Sequence, residues 1–250
     1  MNRIEVRLYA GLNDFLPHRR QATLALSLDA HASVKHVIES LGVPHTEVDL
    51  ILVDGEPVDF AHRVRDGDRV AAYPRFETLD VAGTSRVRPH PPSEPRFVLD
   101  AHLGKLATYL RMLGFDALYR NDSADAALAQ ISAAEGRILL TRDLGLLKRG
   151  IVTHGYLVRK SDPERQLAEV LGRFELFGAV EPFRRCIRCN TPLESVRKED
   201  VLDRLQPKTR RYYDEFARCP ACDRIFWKGS HYERMQDFVD RLLGASDRSP

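Results

Sequence analysis

Four aspartates in the middle of the chain are the residues most able to do chemistry. Asp100 and Asp143 each follow an apolar run with strand character, and Asp122 and Asp125 follow another such run. Carboxylates gathered from separate strands repel one another unless a cation lies between them, and hard oxygen ligands suit Mg²⁺ or Mn²⁺. Two such ions ~3.5–4 Å apart can activate water and stabilise the leaving oxygen of a phosphodiester. The aspartates also have plainer explanations, because Asp143 can cap a helix and Asp122 or Asp125 can favour a helix N-terminus.

The four cysteines form a second constellation. They are arranged as two CxxC pairs, Cys186 with Cys189 and Cys219 with Cys222, and 29 residues separate the pairs. Two such knuckles complete a tetrahedral site of four thiolates, so the pattern predicts a zinc ribbon. Four protein ligands leave no coordination position for substrate, and we therefore expect structural rather than catalytic zinc. Two disulfides or unrelated free thiols are the alternatives, and a reducing compartment disfavours the disulfides.

Strands and helices alternate around the aspartates. Apolar stripes predict helices between the strands, including one over Pro163–Phe177. This alternation predicts an α/β domain with a parallel sheet covered by helices on both faces. The carboxyl ends of parallel strands form one crevice, which is where the aspartates would meet. The predicted strands are Arg96–Leu99, Ala117–Tyr119, Arg137–Thr141 and Tyr156–Val158.

The first 75 residues have a different pattern, of two strands, one helix and two more strands. Ser33 can cap the helix, and an Asp54-Gly55 pair predicts a turn. This order fits an α+β ubiquitin-like β-grasp fold. The segments SLGVPHTEVDLILVDGEPV and RDGDRVAAYP resemble the small sulfur-carrier proteins of thiamine and molybdopterin synthesis. Those carriers end in a free Gly-Gly, whereas this chain continues through Val81–Thr84, so we expect a module for interaction with a protein partner or for regulation.

The domain boundaries follow from proline and from the cysteines. Pro89, Pro91, Pro92 and Pro95 predict an extended linker over 83–95. The ubiquitin-like domain would then span 1–82 and the sheet domain 96–182. The ribbon with a C-terminal helix would span 183–240, followed by a tail over 241–250.

Composition excludes several classes of protein. The 250 residues are 43% hydrophobic and 30% charged, which rules out wholesale disorder and a disulfide-dense miniature scaffold. The N-terminus does not resemble a signal peptide, and no run reaches the ~18 apolar residues of a membrane span. We therefore expect a cytoplasmic protein. The net charge of +2 is unevenly distributed along the chain, with −4 over 1–83, +2 over 84–183, +5 over 184–235 and −1 over 236–250. The basic stretch over 184–235 suggests an anionic partner.

Several segments in order resemble one known family. They are FVLDAHLGKLATYLRMLGFDALYRNDSADAALAQISAAEGRILLTRDLGLLKR, RCIRCNTPL and FARCPACDRIFWKGSHYERM. They resemble the ribonuclease domain at the C-terminus of the Mut-seven exonuclease, a branch of the PIN-like nucleases, with its appended zinc ribbon. The resemblance covers about Arg96–Met235, and a ubiquitin-like module is a known companion of this domain in bacteria.

The resemblance implies roles for individual residues. Asp100 matches the acidic residue that ends the first strand, Asp125 matches the start of the DALIAA-like helix, and Asp143 matches the TRD turn. Asp122 is a fourth candidate whose work Asp125 could do. PIN domains often add a glutamate from an earlier helix, and the helix predicted over His102–Leu113 contains none, so the metal site could be smaller.

Basic and aromatic residues accompany these motifs and predict RNA binding, since cations neutralise phosphates and exposed rings stack on unpaired bases. Glycine in the segment from Lys228 to His231 would let the backbone approach a phosphate, although Ser230 could instead cap a helix. Phe226 and Trp227, beside a zinc knuckle, are expected to pack in the core. The candidate RNA-binding residues are Lys105, Arg111, Arg142, Lys148, Lys228, Ser230 and His231.

The sequence thus predicts a metal-dependent ribonuclease that acts on single-stranded or structured RNA, with structural Zn²⁺ and catalytic Mg²⁺ or Mn²⁺. A catalytically weak RNA-binding or adaptor protein on a PIN-like scaffold is the alternative. A sulfur-transfer accessory protein is a third class, which the lack of a terminal Gly-Gly opposes.

Overall fold

The structure is a computed structural model, and it describes residues 2–16, 23–29, 31–75, 84–87 and 94–246. Most of the predicted linker, 83 and 88–93, and the last four residues of the predicted tail lie outside this part of the chain. Contacts between residues divide the protein into two units. The first unit contains Met1–Asp100 and Ser123–Leu157, and the second contains Ala101–Asp122 and Val158–Pro250.

Twelve strands and seven α-helices are described in these residues. In chain order they are β1 (Asn2–Leu8), β2 (Thr23–Leu28), α1 (Val34–Ser40), β3 (Leu50–Val53), β4 (Glu56–Pro57), β5 (Arg69–Tyr73), β6 (Phe97–Leu99), α2 (Gly104–Met112), β7 (Ala117–Tyr119), α3 (Asp125–Glu135), β8 (Ile138–Thr141), α4 (Leu144–Leu147), β9 (Gly155–Leu157), α5 (Pro163–Arg173), β10 (Glu194–Val196), α6 (Pro207–Tyr212), β11 (Phe216–Arg218), β12 (Ile225–Trp227) and α7 (Ser230–Ser246).

The N-terminal part of the first unit is the β-grasp fold that the sequence predicts. Its sheet has the order β2-β1-β5-β3-β4, with β1 parallel to β5 and the other neighbours antiparallel. Strand β1 alternates because Ile4, Val6 and Leu8 are buried while their neighbours are not. Helix α1 begins where Ser33 accepts a hydrogen bond from the His36 amide, 3.2 Å away, as its sequence indicates.

The same unit contains three parallel strands that lie side by side in the order β6-β8-β9. Leu99 pairs with Leu140, and Thr141 pairs with Leu157. Every residue of β6 and β8 is buried, which is typical of parallel strands covered on both faces. Helix α3 packs on β6 and β8, and α4 packs on β8 and β9. This arrangement brings the C-terminal ends of β6 and β8 to the same edge.

Buried polar contacts join the ubiquitin-like part to the strand region within this first unit. A 3₁₀ turn over His45–Glu47 packs on β9. Glu47, which is buried, accepts a hydrogen bond of 2.7 Å from the Leu157 amide. His45 Nε2 lies 2.8 Å from the Val152 carbonyl oxygen, and Lys148 Nζ donates to the Glu39 carbonyl at 2.9 Å. The ubiquitin-like part is therefore hydrogen-bonded to the segment between α4 and β9.

The second unit contains helices α2 and α5, strand β7, and the cysteine-bearing ribbon with helices α6 and α7. Helix α2 packs on α5 and on β7. The ribbon sheet is antiparallel, in the order β10-β11-β12. The C-terminal helix extends through Ser246, so it includes residues that the sequence predicts to lie in the tail. Among the described residues, no helix has the length and apolar character needed to cross a membrane.

Candidate functional site

Asp100 and Asp143 lie at adjacent strand ends, as the sequence predicts. Asp100 directly follows β6 and is only 5% exposed, and Asp143 comes two residues after the end of β8. The Asp100 amide donates to the Leu140 carbonyl at 3.2 Å, which continues the parallel ladder past the strand. Because β6 and β8 are neighbours, the two aspartates come from the same edge of the sheet.

Thr141 and the Arg142 backbone fix the Asp100 carboxylate. Asp100 Oδ2 accepts hydrogen bonds from the Thr141 hydroxyl and, at 3.0 Å, from the Arg142 amide. Thr141 Oγ1 in turn accepts from the Asp143 amide at 2.9 Å. One hydroxyl therefore connects the Asp100 carboxylate to the backbone of Asp143. The sequence reasoning missed Thr141, although a hydroxyl at the end of a fully buried strand is a signal, since buried polar groups need partners.

The capping explanation of Asp143 is correct as well. Its Oδ1 accepts a hydrogen bond of 2.7 Å from the Gly145 amide at the start of α4. Asp143 is nevertheless exposed, so its carboxylate borders the solvent. Glycine suits position 145, because the Cβ of any other residue there would make a tight contact of 3.2 Å with Asp143 Oδ1. A single side chain thus caps the helix and presents negative charge beside Asp100.

The other two aspartates are exposed and lie on different elements. Asp125 is the first residue of α3, where its charge favours the helix N-terminus. Asp122 belongs to the second unit. Within the described residues, the four cysteines are the only group of three or more acidic, histidine or cysteine residues whose potential ligand atoms all lie within 4.8 Å of one another. The structure therefore does not gather three of the predicted carboxylates around one point.

A divalent cation fits the residues that do meet. Mg²⁺ usually keeps several waters and is held by one or two carboxylates plus substrate phosphates. Asp100 supplies a carboxylate from the end of β6 and Asp143 supplies one from the turn after β8, and Thr141 keeps the first of them in a fixed orientation. The donor set suits an ion that water and a phosphate complete, and it does not form an all-protein cage.

The four cysteines form a compact cluster that could bind a metal such as zinc. Cys186 Sγ lies 3.6 Å from Cys222 Sγ, and Cys189 Sγ lies 3.3 Å from Cys219 Sγ. A tetrahedron with Zn–S bonds of about 2.3 Å places its sulfur atoms roughly 3.8 Å apart. The observed separations are close to this value, so the cluster fits a tetrahedral ion.

The two knuckles have the same backbone geometry. In the first, the Cys186 amide donates to the carbonyl of Thr191, and in the second the Cys219 amide donates to the carbonyl of Arg224. Burial raises the pKa of Cys186 to about 12. Burial acts in the same direction on Cys189, but hydrogen bonds with Thr191 outweigh it and lower the pKa of this thiol to about 6.

Arg111 joins the first knuckle to α2 and β7, all within the second unit. Its guanidinium donates to the Ala117 carbonyl at 2.8 Å and to the Arg188 carbonyl at 2.8 Å. A third bond of 3.3 Å goes to the Ile187 carbonyl. Burial lowers the pKa of Arg111, which is only 4% exposed. The sequence-based assignment of Arg111 to RNA binding is therefore wrong, because its donors are occupied by backbone carbonyls inside the protein.

Asn190 makes the matching contacts from the knuckle. Its Oδ1 accepts from the Ala117 amide at 3.0 Å, and its Nδ2 donates to Asp116 Oδ1 at 2.7 Å. The backbone of Asn190 is left-handed, with φ of 71°, which asparagine tolerates better than most residues. Sequence reasoning missed this residue, although an asparagine directly after a CxxC pair is a signal for a left-handed knuckle position.

Two family models match the chain with these sites in place. The model described as the Mut7-C RNAse domain matches residues 95–239, which is more than half of the protein, and the one described as Mut7-C ubiquitin matches 1–80. The chain belongs to the Mut7-C RNAse domain family. The family match confirms the resemblance seen in the sequence and indicates a nuclease-like function. It covers the aspartate turn, the cysteine cluster and the first turns of α7.

Other comparisons add little to the Mut7-C assignment. No curated protein has a significant match to the chain. The solved structures that match include the crystal structure of H. volcanii small archaeal modifier protein 1 and that of SAMP1 from Haloferax volcanii. Their sequences are 19% and 18% identical to this chain. The matches cover 30% and 31% of this chain and all of each solved chain, with a TM-score of 0.26 for both.

The remaining basic residues predicted to bind RNA in this Mut7-C protein differ in their surroundings. Arg142 is exposed beside Asp100, and Lys105 is exposed with its ammonium 5.1 Å from the centre of the Tyr109 ring. Lys148 is half-buried and donates to the Glu39 carbonyl of the ubiquitin-like part, and its assignment to RNA binding stays a prediction. Lys228 is exposed and forms an ion pair of 2.6 Å with Glu215.

The last two residues predicted to bind RNA lie at the end of the ribbon. Ser230 is the first residue of α7 and is exposed, whereas the side chain of His231 lies outside the part of the chain that the structure describes. Phe226 is half-buried, as expected for a residue beside a zinc knuckle. Trp227 is 38% exposed, so the expectation that it packs in the core is wrong.

Proposed function

We propose that this Mut7-C protein is a metal-dependent ribonuclease that hydrolyses phosphodiester bonds of RNA at the Asp100–Asp143 turn. The observation that carries the proposal is the hydrogen-bonded chain from Asp100 through Thr141 to Asp143, at the carboxyl ends of two neighbouring parallel strands. Ligands of open α/β sheets bind at this edge. The family match supports the nuclease chemistry, and the donor set supports Mg²⁺ or Mn²⁺.

Each residue of the turn has a distinct task in this proposal. Asp100 and Asp143 would hold the ion, which when bound supplies an activated water and stabilises the leaving oxygen. Thr141 keeps the buried Asp100 carboxylate oriented, so the site does not have to reorganise when RNA binds. The exposed guanidinium of Arg142 would contact an RNA phosphate. Asp125 would contribute negative charge and not a direct bond to the ion, because among the described residues its carboxylate forms no cluster with those of Asp100 and Asp143.

The cysteines and the other basic residues have supporting tasks. We propose that Cys186, Cys189, Cys219 and Cys222 bind structural Zn²⁺ and so hold the first knuckle, through Asn190, against β7. Lys105, Lys228 and Ser230 are proposed RNA contacts. Asp122 and His231 keep the roles predicted from sequence.

A cleavage assay tests the proposal. Labelled single-stranded RNA is incubated with the full-length protein in Mn²⁺, in Mg²⁺ and in EDTA, and the Asp100→Asn variant is compared with Asp203→Asn, whose side chain is exposed in the ribbon. We expect cleavage that needs the added ion and falls by about 100-fold or more in Asp100→Asn, with no change in Asp203→Asn. Undiminished cleavage by folded Asp100→Asn protein would refute the proposal.

One observation favours the alternative of an RNA-binding or adaptor protein. Within the described residues, hydrogen bonds connect only two of the predicted carboxylates, through Thr141, and no three carboxylates form a cluster. On this alternative, the protein binds RNA in EDTA as tightly as in Mn²⁺ and cleaves none of several RNA types. The same assay, read with a binding measurement, distinguishes the two functions.

A further inference from the structure

The ribbon contains a cleft that the nuclease site does not use. It has a volume of about 800 Å³ and lies between strands β11 and β12 and the first turns of α7. All the residues that line it belong to the second unit. The volume falls in the range of roughly 300–1,000 Å³ that is typical of ligand sites. The cleft therefore has the size of a binding site and is separate from the aspartates and the cysteines.

Trp227 is the most unusual residue of this ribbon cleft. It is the only tryptophan in the chain, and 38% of it is exposed although it is a large apolar residue. Gly229 explains how the indole is held. A Cβ at Gly229 would lie 2.8 Å from the indole Nε1 and 3.2 Å from its Cδ1, so only glycine lets the ring lie this close to the backbone. The indole is thus supported by the backbone and remains partly open to solvent.

A second aromatic pair lines the same cleft. The rings of Phe183 and Tyr232 have their centres 4.3 Å apart and are tilted by 41°. Phe226 and Met235 add further apolar surface. Flat, partly exposed rings of this kind are surfaces on which any nucleobase can stack, because every base has a π-face.

Cations at the rim of the cleft favour an anionic ligand. Arg184 pairs with Glu181 and Lys228 pairs with Glu215, and all four side chains are at least 60% exposed. Exposed ion pairs contribute little, so a phosphate can replace the carboxylate partner. The wider stretch of residues 184–235 has a net charge of +5. This excess of positive charge matches a polyanion and repels a cationic peptide.

We propose that the ribbon cleft binds unpaired bases of single-stranded RNA, with Trp227 as the stacking surface and with Arg184 and Lys228 on the flanking phosphates. The choice of RNA over other polyanions rests on the proposed ribonuclease function. Duplex RNA is excluded as the ligand of this cleft because its bases are already stacked on one another. The cleft would hold a single strand at a place distinct from the aspartate turn.

The single tryptophan makes the test direct. A ten-nucleotide single-stranded RNA is titrated into the full-length, zinc-loaded protein in buffer without added Mg²⁺ or Mn²⁺, so that no cleavage occurs, and the fluorescence of Trp227 is recorded. We expect saturable quenching. Affinity for the labelled RNA, measured by anisotropy, should fall about tenfold in Trp227→Ala and change by less than about threefold in Trp227→Phe, which keeps an aromatic face.

A matched control lies on the same ribbon. Tyr212 is 66% exposed and carries the Arg211 guanidinium 5.5 Å from its ring centre, but it is not part of the cleft. Tyr212→Ala should bind the RNA as the unmodified protein does. Gly229→Ala provides a second perturbation, because it displaces the indole without removing it, and should also weaken binding.

Three results would overturn the proposal. The first is RNA binding without quenching of Trp227. The second is equal affinity of the unmodified protein and folded Trp227→Ala protein. The third is quenching by an apolar dye and not by RNA, which would make the cleft a site for other ligands. Because binding is read without added Mg²⁺ or Mn²⁺, a failure of the ribonuclease proposal, seen as absent cleavage in Mn²⁺, remains distinguishable from a failure of this one.

Discussion

Replacement of Arg111 by methionine should destabilise the second unit strongly. Methionine keeps much of the length of the side chain but removes the donors that reach the carbonyls of Ala117, Ile187 and Arg188. Hydrogen bonds to charged groups contribute about 1.5–3 kcal/mol each, and such values are not additive. With three bonds in a buried setting, we expect the free energy of unfolding to fall by about 3–5 kcal/mol.

Urea unfolding followed by the fluorescence of Trp227, in the same unit as Arg111, measures this change. In a thermal melt the loss corresponds to a Tm lower by about 10 °C, since 1 kcal/mol shifts Tm by about 2–4 °C in proteins of this size. Lys105→Met is the matched control, because Lys105 lies on the same helix and is exposed. It should change stability by less than about 0.5 kcal/mol.

The opposite pattern would refute the reasoning. If Arg111→Met protein unfolds within 1 kcal/mol of the unmodified protein and instead binds RNA more weakly, the guanidinium acts at a nucleic-acid surface, as the sequence alone suggests. A large loss of stability with unchanged RNA affinity per folded molecule supports the structural role.

Three further predictions concern the ubiquitin-like part and the cysteines. Glu47→Ala leaves the partly buried Leu157 amide without its carboxylate acceptor and should cost about 2 kcal/mol in urea unfolding. Glu47→Gln should retain more than half of this stability, and equal effects of the two substitutions would contradict a hydrogen-bonding role. Burial lowers the pKa of His45 below 6.5, so its contribution to stability is complete above pH 6.5 and is lost as the pH falls toward the lowered value. This loss of stability on acidification should vanish in His45→Gln and persist in the exposed control His36→Gln. A gain of stability on acidification would instead mean that Glu39 and the Val152 carbonyl hold a charged imidazolium. Cys186→Ser should lower the zinc content from about one ion per chain to well below one, and unchanged zinc would contradict a four-cysteine site.

The sequence predicts the elements of this fold well because their signals are local. Strand β8 is an uninterrupted apolar run, and the Asp143 cap follows from the residue type before a short helix. The β-grasp order and the pairing of the cysteines into two knuckles also follow from spacing alone. At these positions, periodicity and ligand type suffice without knowledge of distant neighbours.

The roles of individual basic residues depend on distant contacts and were therefore not predictable in the same way. Arg111 finds carbonyls 76 and 77 positions further along the chain, and Lys148 finds one 109 positions earlier. A cationic side chain on a predicted polar face has the same sequence signature whether it binds a phosphate or a backbone carbonyl. The exposure of Trp227 has a similar origin, since it depends on how the indole lies against Gly229.

Cleavage of single-stranded RNA by Asp143→Asn protein in Mn²⁺ tests the central claim most directly. Asparagine is as good an N-cap as aspartate, so this variant keeps the acceptor for the Gly145 amide and loses only the charge. The account predicts an unchanged Tm, within about 2 °C, together with a loss of cleavage of about 100-fold or more. Full activity in this folded variant would show that Asp143 is only a helix cap and would contradict the proposed catalytic site.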